Sequence, residues 1–282
     1  MTDPTIFNQI LIWPILNVLI AIYNGLVYFR IPGAFGLAVV VLTVAIRLVL
    51  YPLTLAQLRS AKKLSEIKPK LDKLSQTHKN DKMRLQQEQM NLYKEAGINP
   101  AAGCLPLLLQ MPVLIALYQV FWQVLSGTSP GKLVTEINQI VYFPILKIQS
   151  LDLNFFRLDL ASKPSDWQKI GWWLLLVPLI TALLQYVQGK MMMPAVDKTK
   201  NLEQKTENLE LRTKNKEPET KKDDMSSIMQ GQMTLMMPLM IGFFAYSFPI
   251  GLAIYWNTFS VFGIIQQYLV NKENSNINIK KL

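Results

Sequence analysis

Apolar residues in this chain come in long runs separated by short, densely charged stretches. Ile31 to Leu58 contains one charged residue, Arg47, and Gly97 to Gly131 contains none. Trp167 to Gly189 holds only Lys169, and Met225 to Asn271 again holds none. A helix that crosses a bilayer needs roughly 20 mostly apolar residues. The last run has room for two, and Ser247-Phe248-Pro249-Ile250-Gly251 breaks it. The pattern predicts an all-α integral membrane protein with five transmembrane helices, at 33–58, 103–126, 168–190, 230–248 and 249–270.

Thr5 to Phe29 is also uncharged, but Pro14 interrupts it and Asn8, Asn17 and Asn24 make it partly polar. From these residues three readings of 1–32 stand open: a sixth span, a retained signal-like segment, or an amphipathic helix lying in the interface. Met1-Thr2-Asp3-Pro4 offers no basic n-region, so a cleaved signal peptide is not expected.

The connecting segments differ in charge. Residues 59–102 carry ten Lys/Arg, the loop from Lys190 to Met225 nine, and the 271–282 tail three, whereas 127–167 carries four. The excess of Lys and Arg on cytoplasmic loops predicts that the first two segments and the tail are cytoplasmic and that 127–167 is extracytoplasmic. Leu64, Ile67, Leu71 and Leu74 recur at helical spacing, and His78-Lys79-Asn80-Asp81 is a polar break with an N-cap candidate. Residues 59–102 therefore read as a basic helical hairpin suited to anionic headgroups. Residues 191–229 are Lys/Glu-rich with isolated leucines and read as unstructured or weakly helical. The extracytoplasmic segment shows β-like runs such as Ile140-Val141-Tyr142-Phe143, flanked by Trp122, Trp167, Trp172 and Trp173 at interfacial positions.

Composition agrees. Half of the residues are hydrophobic and 17% are charged, against about 25% charged in a soluble domain. The net charge of +10 favours partners of negative character. One cysteine, Cys104, excludes an internal disulfide, and one histidine, His78, excludes His-pair zinc motifs. No nucleotide motif is present, so no ATP use is expected, the spans hold no paired acids for an intramembrane protease, and neither a metal site nor specific nucleic-acid binding is expected.

Arg47 is the informative polar residue. In a continuous 33–58 helix it stands roughly 18 Å from either end, near mid-membrane. No span contains Asp or Glu to neutralise it. An intramembrane charge is functional by default, so Arg47 is read as a fixed positive charge in a wet cavity. The plainer alternative is an arginine tied to backbone carbonyls for structural reasons. Gln57, Gln110, Gln185, Gln188, Gln266 and Gln267 fall in the cytoplasmic halves of their spans, and only Gln119 and Gln123 in outer halves. This asymmetry predicts a polar recess reaching from the cytoplasm to Arg47, sealed by apolar residues beyond. Met229, Met233, Met236, Met237 and Met240 form a stripe read foremost as packing or lipid contact.

The motifs Arg47-Leu48-Val49-Leu50-Tyr51-Pro52-Leu53-Thr54 before a basic hairpin, Asn91-Leu92-Tyr93-Lys94 and Gly103-Cys104-Leu105-Pro106 resemble the YidC/Oxa/Alb membrane-protein insertases. So do Met236-Met237-Pro238, Phe248-Pro249-Ile250-Gly251-Leu252, Tyr255-Trp256 and Gln266-Gln267. The resemblance runs from about Gly33 to Val270 and is to a short bacterial form without a large outer domain. It implies a five-span core without cofactor, and an N-terminal amphipathic helix on the outer surface, which settles 1–32 as interfacial. It also implies insertion and folding of nascent membrane proteins, alone or beside the Sec translocon, with clients partly delivered by ribosomes and with membrane lipids in contact. The family's groove arginine carries over to Arg47, its third-span glutamine to Gln188 and less directly Gln185, and its aromatic pair to Tyr255 and Trp256. Gln110 and Asn257 complete the expected substrate groove. Many relatives have Ser-Asn where this chain has Phe259-Ser260, so Ser260 is assigned no role. The rival is an anion channel or transporter using Arg47 as counter-charge, which needs polar residues on both sides of the seal and favours internal repeats; none is visible here.

Overall fold

A computed structural model describes residues 2–78, 81–97, 105–125, 129–192 and 225–279. The Lys/Glu-rich run from Asp197 to Asp224 lies outside the described residues.

The chain opens with π-helical turns over Asn8–Ile12 that lead into α1, Trp13–Tyr28. Pro14 has no N–H for an i−4 carbonyl, and wider turns before it absorb the loss. Together Asn8–Tyr28 is long and apolar enough to cross a membrane. Asn17, Tyr23 and Asn24, however, all reach one neighbouring segment. Asn17 Nδ2 donates to the Ile140 carbonyl and its Oδ1 accepts from the Tyr142 N–H. The Tyr23 hydroxyl donates to Ser150 O and accepts from Asp152 N–H, and Asn24 donates to Leu146 O. These anchors span seven residues, about 10 Å of helix, so α1 runs along the 140–152 segment.

Helix α2, Ala34–Val49, and α3, Tyr51–Thr77, are separated at Leu50. The first span expected at 33–58 is therefore broken. Ala34–Val49 and Tyr51–Ser60 meet at 64°. Pro52 explains the break, since its ring clashes with the carbonyl four residues earlier and offers it no N–H. Arg47 is thus in the last turn of α2, two residues before the break, and not midway along a straight helix. Projected on the α2 axis, it stands about 20 Å from Gly33 but only roughly 10 Å from Ser60. Helix α4, Lys82–Glu95, packs on α3, and Asp81 caps it by accepting from the Arg84 N–H at 3.0 Å.

Helix α5, Leu105–Leu125, leads to α6, Pro130–Ile140. The latter was not anticipated, and Ile140–Phe143 is a helix end and bend rather than a strand. The strands lie further on, as a two-stranded hairpin of β1, Asn154–Phe155, and β2, Leu158–Asp159. After α7, Trp167–Ile170, comes α8, Leu176–Met192, then the penultimate helix Met225–Ser247 and the last helix Ile250–Ile279. The Pro249 break falls where the apolar run predicted it.

Residues 129–173 and α1 form a layer over one end of the helices. The α5 helix exits into this layer and α8 starts from it. The layer also ties two helix ends together. Phe155 sits in a notch on α2 made by two missing side chains, since a Cβ on Gly33 or Gly36 would come within 2.8 or 2.4 Å of its ring. Leu160 and Ser162 carbonyls accept the Gly251 and Ile250 N–H groups at the start of the last helix. The apolar core lies here: Ile12, Leu16, Phe35, Leu117, Phe121, Leu133, Ile137, Leu160 and Ile250 are all nearly inaccessible. Outward-facing Leu235, Met236, Leu239, Met240 and Phe243 are exposed, so the methionine stripe faces away from the interior; Met229 and Met233 side chains lie outside the described residues.

The tip of the hairpin carries Phe156 and Arg157 at φ +45° and +73°. Side chains larger than Gly or Asn resist that left-handed region. Phe156→Asn with Arg157→Gly, the residues such a turn prefers, is expected to stabilise the protein by about 1 kcal/mol. A thermal melt in detergent that shows no rise would count against stored strain there.

Candidate functional site

Beyond the apolar core the buried residues change character. Farther along the helices the interior holds Thr43, Arg47, Thr54, Ser260, Gln266 and Gln267, while Thr181 is buried nearer the layer, five residues into α8. Thr43 and Thr181 satisfy themselves on their own helices, on Val39 O and Val177 O. Arg47, Thr54, Ser260 and Gln266 link helices.

Three elements converge on Arg47 at similar depth. Arg47 is 14 residues from Gly33, Gln188 is 12 from Leu176 and Gly263 is 13 from Ile250, each about 20 Å of helix. Arg47 is 7% exposed. Its Nη1 donates to Gln266 Oε1 at 3.2 Å and its Nη2 to the Phe259 carbonyl at 2.9 Å. The Phe259 ring covers one face, with Arg47 Cζ 3.5 Å from the ring centroid. Gln266 Nε2 in turn donates to Thr54 Oγ1 at 3.4 Å, a long contact, and the Thr54 hydroxyl donates to Tyr51 O. The bent α2–α3 segment and the last helix are thus joined by one polar chain through Arg47 and Gln266.

Gly263 is what brings Gln188 to the same place. A Cβ there would lie 2.5 Å from Gln188 Nε2 and 3.1 Å from Arg47 Nη2. Any side chain at 263 would occupy the space where α8 and α2 present these groups. One turn nearer the core, Ser260 donates to Gln185 Oε1 at 3.3 Å. On the last helix Tyr255, Phe259, Gly263 and Gln266 are spaced four, four and three apart, which places them on one face.

None of Arg47's partners among the described residues is a carboxylate; they are a backbone carbonyl, a side-chain amide and a ring. The plainer alternative of an arginine tied to backbone is thereby partly realised, since Phe259 O is such a tie. Yet the set does not finish the job. Arg47 Nε and Gln188 Oε1 are buried without a hydrogen-bond partner among the described residues. Buried polar atoms are nearly always paired, and each orphan costs about 1–3 kcal/mol. An orphan donor and an orphan acceptor at one junction mark a place for water or for a polar group arriving from outside.

The expected residues divide accordingly. Arg47 and Gln188 meet, and Gln185 joins through Ser260. Tyr255 is buried on the Arg47 face, its ring 6.3 Å from that of Phe259. Trp256 is half-buried on the flank. Asn257 lies about 160° around the helix from Phe259 and does not join the cluster, although its Oδ1 is also buried and unpaired. The Gln110 side chain lies outside the described residues. Phe259, Gly263, Gln266, Thr54 and Ser260 were not assigned to the site from sequence. The four-four-three spacing around Phe259 was the available signal.

Comparison with known proteins agrees on kinship. A family profile described as 60Kd inner membrane protein matches residues 27–277. The chain is similar to a protein of Rickettsia prowazekii named Membrane protein insertase YidC, with 32% identity over 252 residues, 88% of this chain. It is likewise similar to the protein of that name from Rickettsia felis, at 31% identity over 252 residues and 88% of this chain. It spans 37% of the length of these curated relatives.

Proposed function

Because the chain belongs to the 60Kd inner membrane protein family, that of the YidC/Oxa/Alb insertases, we propose that it inserts and folds integral membrane proteins in the bacterial inner membrane. The observation that carries this reading is Arg47, a buried cation with no carboxylate partner among the described residues, held by the Gln266 amide and the Phe259 carbonyl about 20 Å along α2 from its Gly33 end.

In this reading the molecule has five spans, with the bent 33–58 pair counted as one. The 129–173 layer is extracytoplasmic, and the basic α3–α4 hairpin and the tail are cytoplasmic, as the distribution of Lys and Arg supports. Helix α1 lies in the outer interface; its anchors to 140–152 support that placement over a sixth span. The polar region around Arg47 opens to the cytoplasm as a hydrophilic groove. A polar or acidic client segment enters it and meets Arg47, while the client's apolar helix partitions into lipid along the exposed faces of α8 and the penultimate helix. Burial of that client helix, at about 25 cal/mol per Å² of apolar area, drives the transfer. Nascent chains, the ribosome and the Sec translocon are the partners this role calls for.

The test is reconstitution. Liposomes containing the purified protein should protect the translocated segment of a single-span client from added protease, and empty liposomes should not. Equal protection with and without the protein would remove the insertase reading. Anion flux through client-free proteoliposomes would favour a channel instead.

A further inference from the structure

The guanidinium of Arg47 is already occupied, and one residue does most of the occupying. Phe259 contributes its ring, 3.5 Å from Arg47 Cζ, and its own carbonyl, 2.9 Å from Nη2. Gln266 holds Nη1. The Phe259 ring in turn neighbours that of the buried Tyr255, at 6.3 Å between centroids. A bare cation waiting for a client would show none of this. The chain has filled the place of a ligand with parts of itself, all of them neutral.

We propose that Phe259 determines which client segments engage Arg47: in the client-free protein its ring covers the guanidinium, and only a segment bearing a carboxylate displaces it. This rests on the insertase reading above and names the regulation of that same site. The reason is competitive. A neutral amide or hydroxyl that displaced the carbonyl, amide or ring would exchange one neutral partner for another. A carboxylate adds a charge-assisted hydrogen bond, roughly twice as strong as a neutral one, to a cation whose present partners carry no charge. The ring also screens the guanidinium from water, so that the cation–π contact is made in a desolvated setting where it is strongest. Phe259 is therefore a specificity-determining residue. It raises the threshold for engagement and leaves neutral segments to pass without touching Arg47.

Two variants separate the ring from its volume. Phe259→Leu keeps an apolar side chain and the backbone carbonyl but loses the π face. Phe259→Ser removes the cover altogether. Phenylglyoxal, which reacts with accessible arginines, is added to client-free protein, and modification is read by peptide mass spectrometry with exposed Arg157 as internal reference. Arg47 should react about tenfold faster in both variants than in the unchanged protein. In proteoliposomes, insertion of a client with a neutralised entering segment should rise severalfold towards that of its acidic twin. Arg47 reacting at the unchanged rate in both variants overturns the proposal, and so does a neutral client that gains nothing where Arg47 has become reactive. If Phe259→Ser does not fold, Phe259→Leu alone decides by the same two readouts. Failure of the insertase reading is distinguishable, because then neither client is inserted above the level of empty liposomes, while the labelling is read without any client.

Discussion

Gly251→Leu is expected to leave no folded protein in the membrane. A Cβ at this position would lie 1.9 Å from Phe121 Cζ and within 2.6 Å of two further ring carbons. Phe121 has nowhere to retreat: it is fully buried and meets Phe35 edge-on at 5.8 Å. Gly251 also begins the last helix, its N–H held by Leu160 O, so the backbone is pinned as well. Overpacking of a tight core costs about 1–3 kcal/mol for a modest excess. Gly251→Ala should reach the upper end of that range, and the small gain in helix propensity, about 1 kcal/mol at most, does not offset it. The informative measurement is a double-mutant cycle of Gly251→Ala and Phe121→Ala, followed by thermal unfolding in detergent. Phe121→Ala alone is expected to cost about 3–5 kcal/mol. The pair should cost clearly less than the sum, because each change relieves the other. Strict additivity, or a Gly251→Ala protein that melts like the unchanged one, would mean that ring and glycine are not in contact.

The largest functional effect is expected from Arg47→Ala. It leaves Gln266 Oε1 without its donor, a cost of about 1–3 kcal/mol when no water replaces it, whereas Phe259 O, inside the last helix, keeps the Gly263 N–H. It also removes a desolvated charge, which works in the opposite direction. With no carboxylate among its partners to be orphaned, the two nearly cancel, and the protein should remain folded. Insertion of a client with an acidic translocated segment should nevertheless drop more than about tenfold, the loss of one charge-assisted contact, while a neutralised client changes little. Arg47→Lys keeps the charge but cannot reach Phe259 O and Gln266 together, because the two-pronged fork is gone; it should retain partial activity on the acidic client. Protease protection of the two matched clients measures this. Equal losses for both clients would assign Arg47 to hydration of the interior, and disappearance of the protein from the membrane would make it a structural tie.

What was legible in the sequence follows from the range of the forces involved. Apolar runs and the Pro249 break marked the helices well, because burial and helix termination are local properties. The Asp81 cap was legible for the same reason. Arg47 was singled out by its charge, and it was placed midway along a straight helix that is in fact bent just after it. Pro52 was in plain view, but a proline in an apolar run was read as part of a continuous span rather than as the corner it makes. Helix α6 carried a usable signal that was overlooked: Leu133, Ile137 and Ile140 are buried at helical spacing behind a Ser129-Pro130 start. The site was half legible. Gln188 and Tyr255 came through resemblance, and Gln266 was noticed without a role. The part played by Phe259 depends on a backbone carbonyl and a ring approaching from a helix more than two hundred residues away. No local pattern encodes such an approach. The same is true of the notch at Gly33 and Gly36, which makes sense only once Phe155 is seated in it.

That notch has a mechanical consequence. Phe155 and the carbonyls of Leu160 and Ser162 clasp the ends of α2 and of the last helix, and the two arms run side by side for about 20 Å before they meet again at Arg47. They are built like a pair of tongs, with the pivot in the apolar core and the tips joined by two hydrogen bonds and a stacked ring. A tilt of about 5° at such a pivot moves the tips by about 2 Å over that length. Hydrogen bonds of 2.9 and 3.2 Å do not survive that displacement, whereas close-packed side chains next to the pivot scarcely move. The helices can therefore part at Arg47 by leverage alone, with the core that holds them left intact.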